Sequence, residues 1–369
     1  MTSLALVENL WNQTLNIRKS CIEIQNIRKQ NQKAIINFKK DLCDLEILSL
    51  TEEENIFRKC GRLFIKSNYA SFTHNLKKEI SDKESCEIES SLTLQKVCGK
   101  LSSVETDLNE LMESDPLYCV KRAIARTVNQ YQRLKILDPN QWLVYNNYTE
   151  ALSQQGPTCG MVSLVLVARF MGMKGITVTE VLELTREMGF TRQGEMFSAD
   201  WMADTAQVLL PSCSTKVENV ANLLDSVWLL KLLRQGGLIL IPYDCAANSS
   251  ICLERGHKAH WGIITGVLLP GSKSPKEFQR ITGFENYHLL NKMDCDIPEI
   301  DSEINQASVK VIVRQSKSLE LEFYSREKLV ESCKNLLDVA KKRQDGSYIL
   351  PENGISNVLS GKIVTINKY

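Results

Sequence analysis

Apolar residues recur in steps of four and three along the first third of the 369-residue chain. The positions are Ile17, Cys21, Ile24, Ile35, Phe38, Leu42 and Leu45, and, after a break, Leu94, Val97, Leu101, Val104, Leu108 and Leu111. This spacing is typical of a left-handed coiled coil, in which one apolar seam faces a partner helix. Arg28 and Asn31 interrupt the first seam.

A hairpin is predicted between the two heptad segments. Residues 55–66 combine β-branched and aromatic side chains with Gly61, which favours a turn between two strands. The two helices would then fold back on each other as an antiparallel pair. We therefore predict an all-α antiparallel coiled coil with a small β-hairpin over residues 1–114.

Pro116 predicts where the second long helix ends, because proline disfavours helical geometry in the residue before it. Residues 115–139 are predicted to be a connector that contains one helix, 120–134. From about residue 140 the pattern changes to predicted helices at 161–170, 179–189, 198–209 and 223–235, followed by strands at 238–242, 260–269 and 309–313. Helices first and strands afterwards predict an α+β domain over residues 140–369.

Composition and charge narrow the class of protein. Hydrophobic residues make up 43% of the chain, and 45 Lys and Arg nearly balance 44 Asp and Glu. The charge therefore gives no reason to expect nucleic acid or a membrane surface as a partner. The N-terminus lacks the basic and apolar segments of a signal peptide, and no apolar run is long enough to span a bilayer.

The cysteines indicate a reducing compartment. The 12 cysteines are scattered and form no C-x-x-C pair, which favours free thiols in the cytoplasm. No His and Cys cluster has zinc spacing, and no G-x-x-x-x-G-K-[ST] loop is present. The sequence therefore predicts neither a metal nor a cofactor.

Candidate chemistry lies at the start of the helix predicted over 161–170. Cys159 stands in the segment Gln154-Gln155-Gly156-Pro157-Thr158-Cys159-Gly160. Backbone amides at a helix N-terminus favour a thiolate. Glycine and proline here let the backbone bend tightly and let a substrate chain approach. Cys159 is therefore the candidate nucleophile.

A candidate base and a candidate oxyanion donor accompany this cysteine. His260 enters the strand predicted over 260–269, and an imidazole there could take the thiol proton and return it to a leaving group. His257 is the alternative, and strand alternation does not choose between them, so the preference for His260 rests on its sequence context. Either Gln154 or Gln155 could donate to an oxyanion, and Gln315 is a candidate to orient the base.

Residues 140–369 resemble the actin maturation protease family, a relative of the bacteriocin-processing, papain-like cysteine peptidases. The matching segments are 154–162, 256–261, 314–318 and 345–351, of which the Gln-x-Gly-Pro-x-Cys-Gly element is the most specific. The resemblance implies an α+β papain-like domain that removes the acetylated N-terminal residue, Met or Cys, from actin. By this match Cys159 is the nucleophile, His260 the base and Gln154 the oxyanion donor.

The implied substrate predicts cations beside the cleft. Actin cleaved in this way exposes an acidic N-terminus, and a positive potential would attract and position its carboxylates. Lys258 and Arg255 precede His260 closely in the sequence. They are therefore predicted to bind substrate at the rim of the site.

Residues 15–112 resemble a beta-class prefoldin subunit, through Asn31-Gln32-Lys33-Ala34, the 57–65 hairpin and the second heptad run. The resemblance implies assembly with prefoldin-like subunits. Vertebrate actin maturation proteases carry a proline-rich, profilin-docking N-terminus in this place, so profilin is not implied as a partner. The alternative function is a prefoldin-like co-chaperone or interaction protein whose peptidase domain is inactive or acts on another acyl substrate, such as ubiquitin conjugates.

Overall fold

The chain folds into two compact units, Met1–Glu113 and Ser114–Tyr369. A computed structural model describes residues 3–47, 55–60, 63–113, 115, 117–134, 141–271, 278–290 and 309–368. Gly61, Pro116 and residues 135–139 of the predicted connector lie outside the described residues. Within those ranges, none of the helices is both long and apolar enough to cross a lipid bilayer.

The N-terminal unit consists of two long helices and one hairpin. The elements are α1 (Ser3–Ile47), β1 (Asn55–Cys60), β2 (Leu63–Asn68) and α2 (Tyr69–Glu113). Each helix has 45 residues, which corresponds to about 68 Å at about 1.5 Å per residue. The helical N-terminal region predicted from the heptads is confirmed.

Contacts between α1 and α2 run in antiparallel order. The sulfur atoms of Cys21 and Cys98 lie 3.9 Å apart, whereas Phe38 packs against Leu76 and Ile80 nearer the hairpin. The polar residues that interrupt the first seam find partners across the pair. Arg28 donates to Glu87 Oε1 at 2.7 and 3.0 Å, and Asn31 Oδ1 accepts from Lys83 Nζ at 3.3 Å. These bonds offset the cost of placing polar groups near the seam.

The C-terminal unit contains both helices and strands, so the mixed α and β content predicted for this half is confirmed. Its helices are α3 (Tyr118–Leu134), α4 (Cys159–Phe170), α5 (Val178–Glu187), α6 (Ala199–Leu209), α7 (Ser226–Arg234), α8 (Arg326–Lys334) and α9 (Ile355–Val358). Its strands are β3 (Gln141–Asn146), β4 (Cys213–Asn219), β5 (Leu238–Asp244), β6 (Ala259–Gly271), β7 (Gln279–Arg280), β8 (Tyr287–Leu289), β9 (Lys310–Gln315), β10 (Leu321–Ser325) and β11 (Lys362–Lys368). The described part of this unit also contains two short 3₁₀ segments, Val220–Leu224 and Lys341–Arg343.

These strands form one sheet, in which β6 is a central strand. The strand order is β4-β11-β5-β6-β3-β8-β7, with β9 also paired to β6 and β10 paired to β9. The first half of β6 pairs with β5, its second half pairs with β3, and β9 runs along its other edge. The start of β6, residues 259–261, therefore pairs with β5, and β9 joins the other edge of β6 from Gly262 onward.

Alternating residues of the central strands face two separate cores. On one face, Leu238 and Leu240 of β5 join Trp261 and Ile263 of β6 in a core that α4, α5 and α6 cover. On the other face, Ile239 and Ile241 belong to a core that α7 and α8 cover. Because β5 is buried on both faces, it has the continuous apolar sequence that predicted it.

The predicted helix at 223–235 is wrong in its first part. The chain forms a 3₁₀ turn, Val220–Leu224, and α7 begins only at Ser226. Asp225 separates them, since its Oδ1 accepts the backbone N–H groups of Val227 at 2.9 Å and Trp228 at 3.0 Å. A side chain that satisfies these first amides is a helix cap, so it fixes where α7 starts.

Helix α3, which lies in the predicted connector, packs on the C-terminal unit. Its residues Tyr118, Val120 and Ile124 are buried, and Arg122 Nη2 bonds to Glu320 Oε1 at 2.9 Å. The helix contacts β10, and the unit that contains the sheet begins at Ser114.

Candidate active site

The backbone before α4 bends at Gly156, whose φ of 67° lies in the left-handed region that glycine adopts without strain. Thr158 precedes the helix and makes no side-chain cap to it, because its hydroxyl donates instead to Gln155 O at 2.9 Å. The first amides of α4 are therefore not satisfied by a side-chain cap. This leaves polar N–H groups beside the sulfur of Cys159.

Gly160 lets the first turn of α4 approach the start of β6. A Cβ atom at this position would lie 3.1 Å from Met196 Cβ and 3.5 Å from Trp261 Cδ1. The Trp261 indole is also fixed, because its Nε1 donates to Met196 O at 2.9 Å. The absence of a side chain at Gly160 thus sets how closely Cys159 sits to this strand.

Cys159 and the start of β6 meet in space although about a hundred residues separate them. The sulfur of Cys159 accepts from the backbone N–H of Trp261, the residue directly after His260. His260 itself is 2% exposed. Its ring meets Tyr243 edge-on with centroids 5.9 Å apart. The structure therefore brings the candidate nucleophile and the candidate base to one place.

Burial raises the pKa of the Cys159 thiol above its ordinary value of 9.0. The N–H group of Trp261, the charges of Lys317 and Arg343, and the N–H group of Gly160 act in the opposite direction. The expectation that helix amides favour the thiolate therefore describes only one of two opposing effects. Because burial is the larger effect, the free protein holds mainly the neutral thiol near pH 7, and attack would require a base to take its proton.

Alkylation of Cys159 by iodoacetamide is expected to accelerate as the pH rises past 9.0, because only the thiolate reacts. Replacing Lys317 by methionine removes a positive charge that favours the thiolate, so the pKa rises further and the rate curve moves to higher pH. Mass spectrometry of the peptide that contains Cys159 separates this thiol from the others. Lys174→Met is the matched control, since Lys174 is exposed just beyond the C-terminal end of α4. If the rate curve of Lys317→Met did not move, the charge of Lys317 would not act on the Cys159 thiol.

Gln154 is held in place before α4, whereas Gln155 is exposed. The Gln154 side chain accepts from Ser316 Oγ at 2.8 Å and donates through Nε2 to Gly156 O at 2.7 Å. Its backbone N–H donates to Ser316 O at 3.0 Å. A carboxamide nitrogen has two N–H groups, so a second donor remains for a bound oxygen. Between the two alternatives, the contacts favour Gln154.

The loop before β6 is organised by Asp244, which is fully buried at the end of β5. Its carboxylate accepts the backbone N–H groups of Glu254, Gly256 and Lys258, each at 2.9 Å. Hydrogen bonds to a charged acceptor are among the stronger ones in proteins. They fix the path of the chain that leads into His260.

His257 lies at the surface, away from this buried position. Its side chain is 45% exposed, and its Nε2 lies 2.5 Å from Asp338 Oδ1. Arg255 donates to the other oxygen of the same carboxylate at 3.2 Å. Asp338 is thus shared by His257 and Arg255, and their contacts lower its pKa although desolvation opposes them.

Lys258 is also paired, with its Nζ 2.9 Å from Glu254 Oε1. Both cations predicted at the rim therefore face an acidic side chain of this chain. Gln315, predicted to orient the base, instead donates to Ser249 Oγ at 3.0 Å and accepts from the backbone N–H of Lys317 at 2.7 Å. Its contacts shape the segment that carries Lys317.

Lys317 and Arg343, whose charges act on the Cys159 thiol, were not predicted from the sequence. Lys317 Nζ donates to Cys245 O at 2.6 Å, and the Arg343 guanidinium lies over the Phe197 ring at 5.8 Å. Lys317 follows Ser316, which holds Gln154, and this adjacency in the 314–318 segment was the only available signal. Among the described residues, no cluster of three or more His, Cys, Asp or Glu side chains could hold a metal ion.

Comparison with known proteins relates the part of the chain that contains Cys159 and His260 to a known family. The family described as "Actin maturation protease-like, C-terminal domain" matches residues 149–268. The actin maturation protease of Danio rerio is 32% identical over 243 residues, which cover 62% of this chain and 75% of that protein. The Xenopus tropicalis protein of the same name is 32% identical over 61% of this chain and 73% of its own. The Homo sapiens protein is 28% identical over 61% and 66%. No solved structure matches the chain.

Proposed function

The chain belongs to the actin maturation protease family, and on that premise we propose that it is a cysteine peptidase that removes the acetylated N-terminal residue, Met or Cys, from actin. One observation carries the cysteine mechanism. The Cys159 sulfur lies at the first turn of α4 and accepts from the N–H group beside His260. A thiol next to a buried imidazole at a helix start is the arrangement that nucleophilic acyl transfer needs.

In the proposed reaction, the thiol proton passes to His260 as the sulfur attacks the carbonyl carbon of the acetylated residue. The C–S bond forms and the carbonyl oxygen becomes an oxyanion. The free N–H of the Gln154 side chain and the backbone N–H of Cys159 donate to that oxygen. The base is needed in this step because burial keeps the thiol neutral in the free protein.

The intermediate then collapses and the peptide C–N bond breaks. His260 returns its proton to the leaving amine, which becomes the new N-terminus of actin. Water, deprotonated by the same imidazole, attacks the thioester and releases the N-acetylated amino acid. The sulfur leaves as thiolate and is reprotonated, so the protein is unchanged by one cycle.

The architecture of the C-terminal unit supports a papain-like assignment for this peptidase. A helix that begins with the nucleophile, α4, packs on a sheet whose strand β6 begins beside the base. Gln154 is held before that helix by Ser316. In the proposed site, the oxyanion donor, the nucleophile and the base would come from three different segments of the chain, as the roles of a catalytic site require.

A second candidate function concerns the N-terminal unit, for which we propose a prefoldin-like role in assembly. The observation that favours it is a set of apolar side chains that face solvent on α1 and α2. Ile22, Ile36, Ile88 and Leu92 are 51%, 68%, 61% and 56% exposed. Exposed apolar side chains on a long helix pair are suited to contact further helices.

Mass spectrometry of actin N-termini tests the proposed function. In cells that lack this protein we expect actin to keep its acetylated Met or Cys, and re-expression of the full chain should restore the processed acidic N-terminus. In vitro, the full chain should convert an acetyl-Met-Asp-Asp peptide to acetyl-Met and a free Asp-Asp amine. Processed actin at normal levels in cells without the protein, or no cleavage of the peptide, would contradict the proposal.

A further inference from the structure

Lys317 lies between the segment that carries Gln154 and the end of β5, two segments that border the candidate site. Its Nζ donates to Cys245 O at 2.6 Å, and Cys245 directly follows β5, the strand in which Tyr243 pairs with His260. The preceding residue, Ser316, bonds to the backbone and the side chain of Gln154. The ammonium group is therefore placed beside the site by hydrogen bonds on both sides of it.

Arg343 approaches the same site from another part of the chain. Its guanidinium lies over the ring of Phe197 at 5.8 Å, and that ring is buried against Tyr348 at a centroid distance of 6.5 Å. The neighbouring Met196 holds the Trp261 indole through its carbonyl oxygen. Stacking on an aromatic ring leaves the N–H groups of the guanidinium free to bind an acceptor in its own plane.

These two cations differ from Arg255 and Lys258, the two cations that precede His260 in the sequence. Among the described residues, neither Lys317 nor Arg343 forms an ion pair, whereas Lys258 is paired with Glu254 and Arg255 with Asp338. Both are partly buried, and a half-buried cation is screened less by water than an exposed one. Their charges reach the Cys159 sulfur, where both lower the pKa of the thiol against the effect of burial.

We propose that Lys317 and Arg343 determine substrate specificity, by pairing with the carboxylates of acidic residues next to the scissile bond of a bound peptide. A substrate with such residues would supply the acidic partners that this chain does not. The inference rests on the proposed function, since it names which residues of that site select an acidic chain. Substrate carboxylates would then bind Lys317 and Arg343 beside the sulfur, and not Arg255 and Lys258, which already have acidic partners on the surface loop.

Matched peptides and variants test the assignment. The full chain is assayed for kcat/KM on acetyl-Met-Asp-Asp and on its neutral isostere acetyl-Met-Asn-Asn. Lys317→Gln and Arg343→Gln are each expected to lower the ratio of acidic to neutral cleavage about two- to fivefold, as for a partly exposed charge pair. The ratio of the wild-type protein should also fall as salt is raised, because charges are screened over about 8–10 Å at physiological ionic strength.

Control variants keep the result interpretable. Lys174→Gln, at the opposite end of α4 from Cys159, should leave both rates unchanged, and Lys317→Arg should keep most of the ratio because it keeps the charge. An unchanged ratio in Lys317→Gln and Arg343→Gln, with both peptides slowed equally, would show that the cations act only on the thiol and would overturn the proposal. A loss of ratio in Lys258→Gln as large as in Lys317→Gln would also overturn it.

The proposed function and this inference fail in different ways. If the wild-type chain cleaves neither peptide, the proposed function is wrong. Binding of the two fluorescently labelled peptides to the full chain then decides the second point. Tighter binding of the acidic peptide that is lost in Lys317→Gln and Arg343→Gln would still support it, and equal binding of both peptides would overturn it.

Discussion

Replacing Cys159 by alanine is expected to lower kcat on an acetyl-Met-Asp-Asp peptide by about four to six orders of magnitude, as loss of a covalent nucleophile does in other hydrolases. The fold should survive, because alanine keeps the Cβ atom and removes only the sulfur of a partly buried residue at the first turn of α4. The measurement is peptide turnover by mass spectrometry, together with a thermal melt that reports the stability of each variant.

The matched control for this prediction is Cys213→Ala. Cys213 is 2% exposed and lies in the core at the start of β4, so its loss should affect stability and leave turnover close to that of the wild-type protein. Turnover by Cys159→Ala at the wild-type rate would exclude the proposed nucleophile. Loss of activity in Cys213→Ala without loss of stability would show that a second thiol takes part.

Replacing His260 is expected to have the next largest effect, a loss of about 10²- to 10⁴-fold in kcat, which is the usual contribution of a positioned general base. The requirement for a base is strong here, because burial keeps the pKa of Cys159 high and the thiol does not ionise by itself near pH 7. His260→Gln is preferred to alanine, since it fills more of the buried space beside Tyr243. The measurement is kcat against pH for the wild-type protein and the variant.

The activity that His260→Gln retains should rise with pH through the pKa of the thiol, because hydroxide then replaces the missing base. His257→Gln is the matched control, because that imidazole is exposed and bonded to Asp338. It should change kcat by less than about threefold, as for other surface substitutions. The assignment of the base would be wrong if His257→Gln lost activity and His260→Gln kept it.

The local sequence was enough to predict the element that carries the nucleophile. Gly156 and Gly160 around Cys159 indicated a tight bend and a close approach before the apolar residues of α4. The structure has a left-handed backbone at Gly156 and close packing at Gly160. Such features depend on a few adjacent residues, which is why short motifs predict them. The apolar runs of β5 and β6 were predicted for the same reason, since strands buried on both faces have little polar content.

Several elements were missed because their stability comes from distant partners. Strands β4 and β11 pair with each other across 140 or more residues of sequence. Their alternating or mixed patterns are too short to distinguish from loops. The start of α7 was misplaced since the capping role of Asp225 depends on which amides its side chain reaches. The position of helix α3 depends on contacts with β10, which follows it by almost two hundred residues.

By itself, the sequence determined the two helical heptad segments, the motif around Cys159 and the strand that contains His260 near its start. Only the tertiary structure decided which charges act there. Arg255 and Lys258 are near His260 in sequence, but Asp338 and Glu254 pair with them. Lys317 and Arg343 are far away in sequence, yet their charges reach the thiol. The physical reason is that a charge acts through its distance in space and its partners, and folding sets both, whereas a helix start or a buried strand is encoded in neighbouring residues.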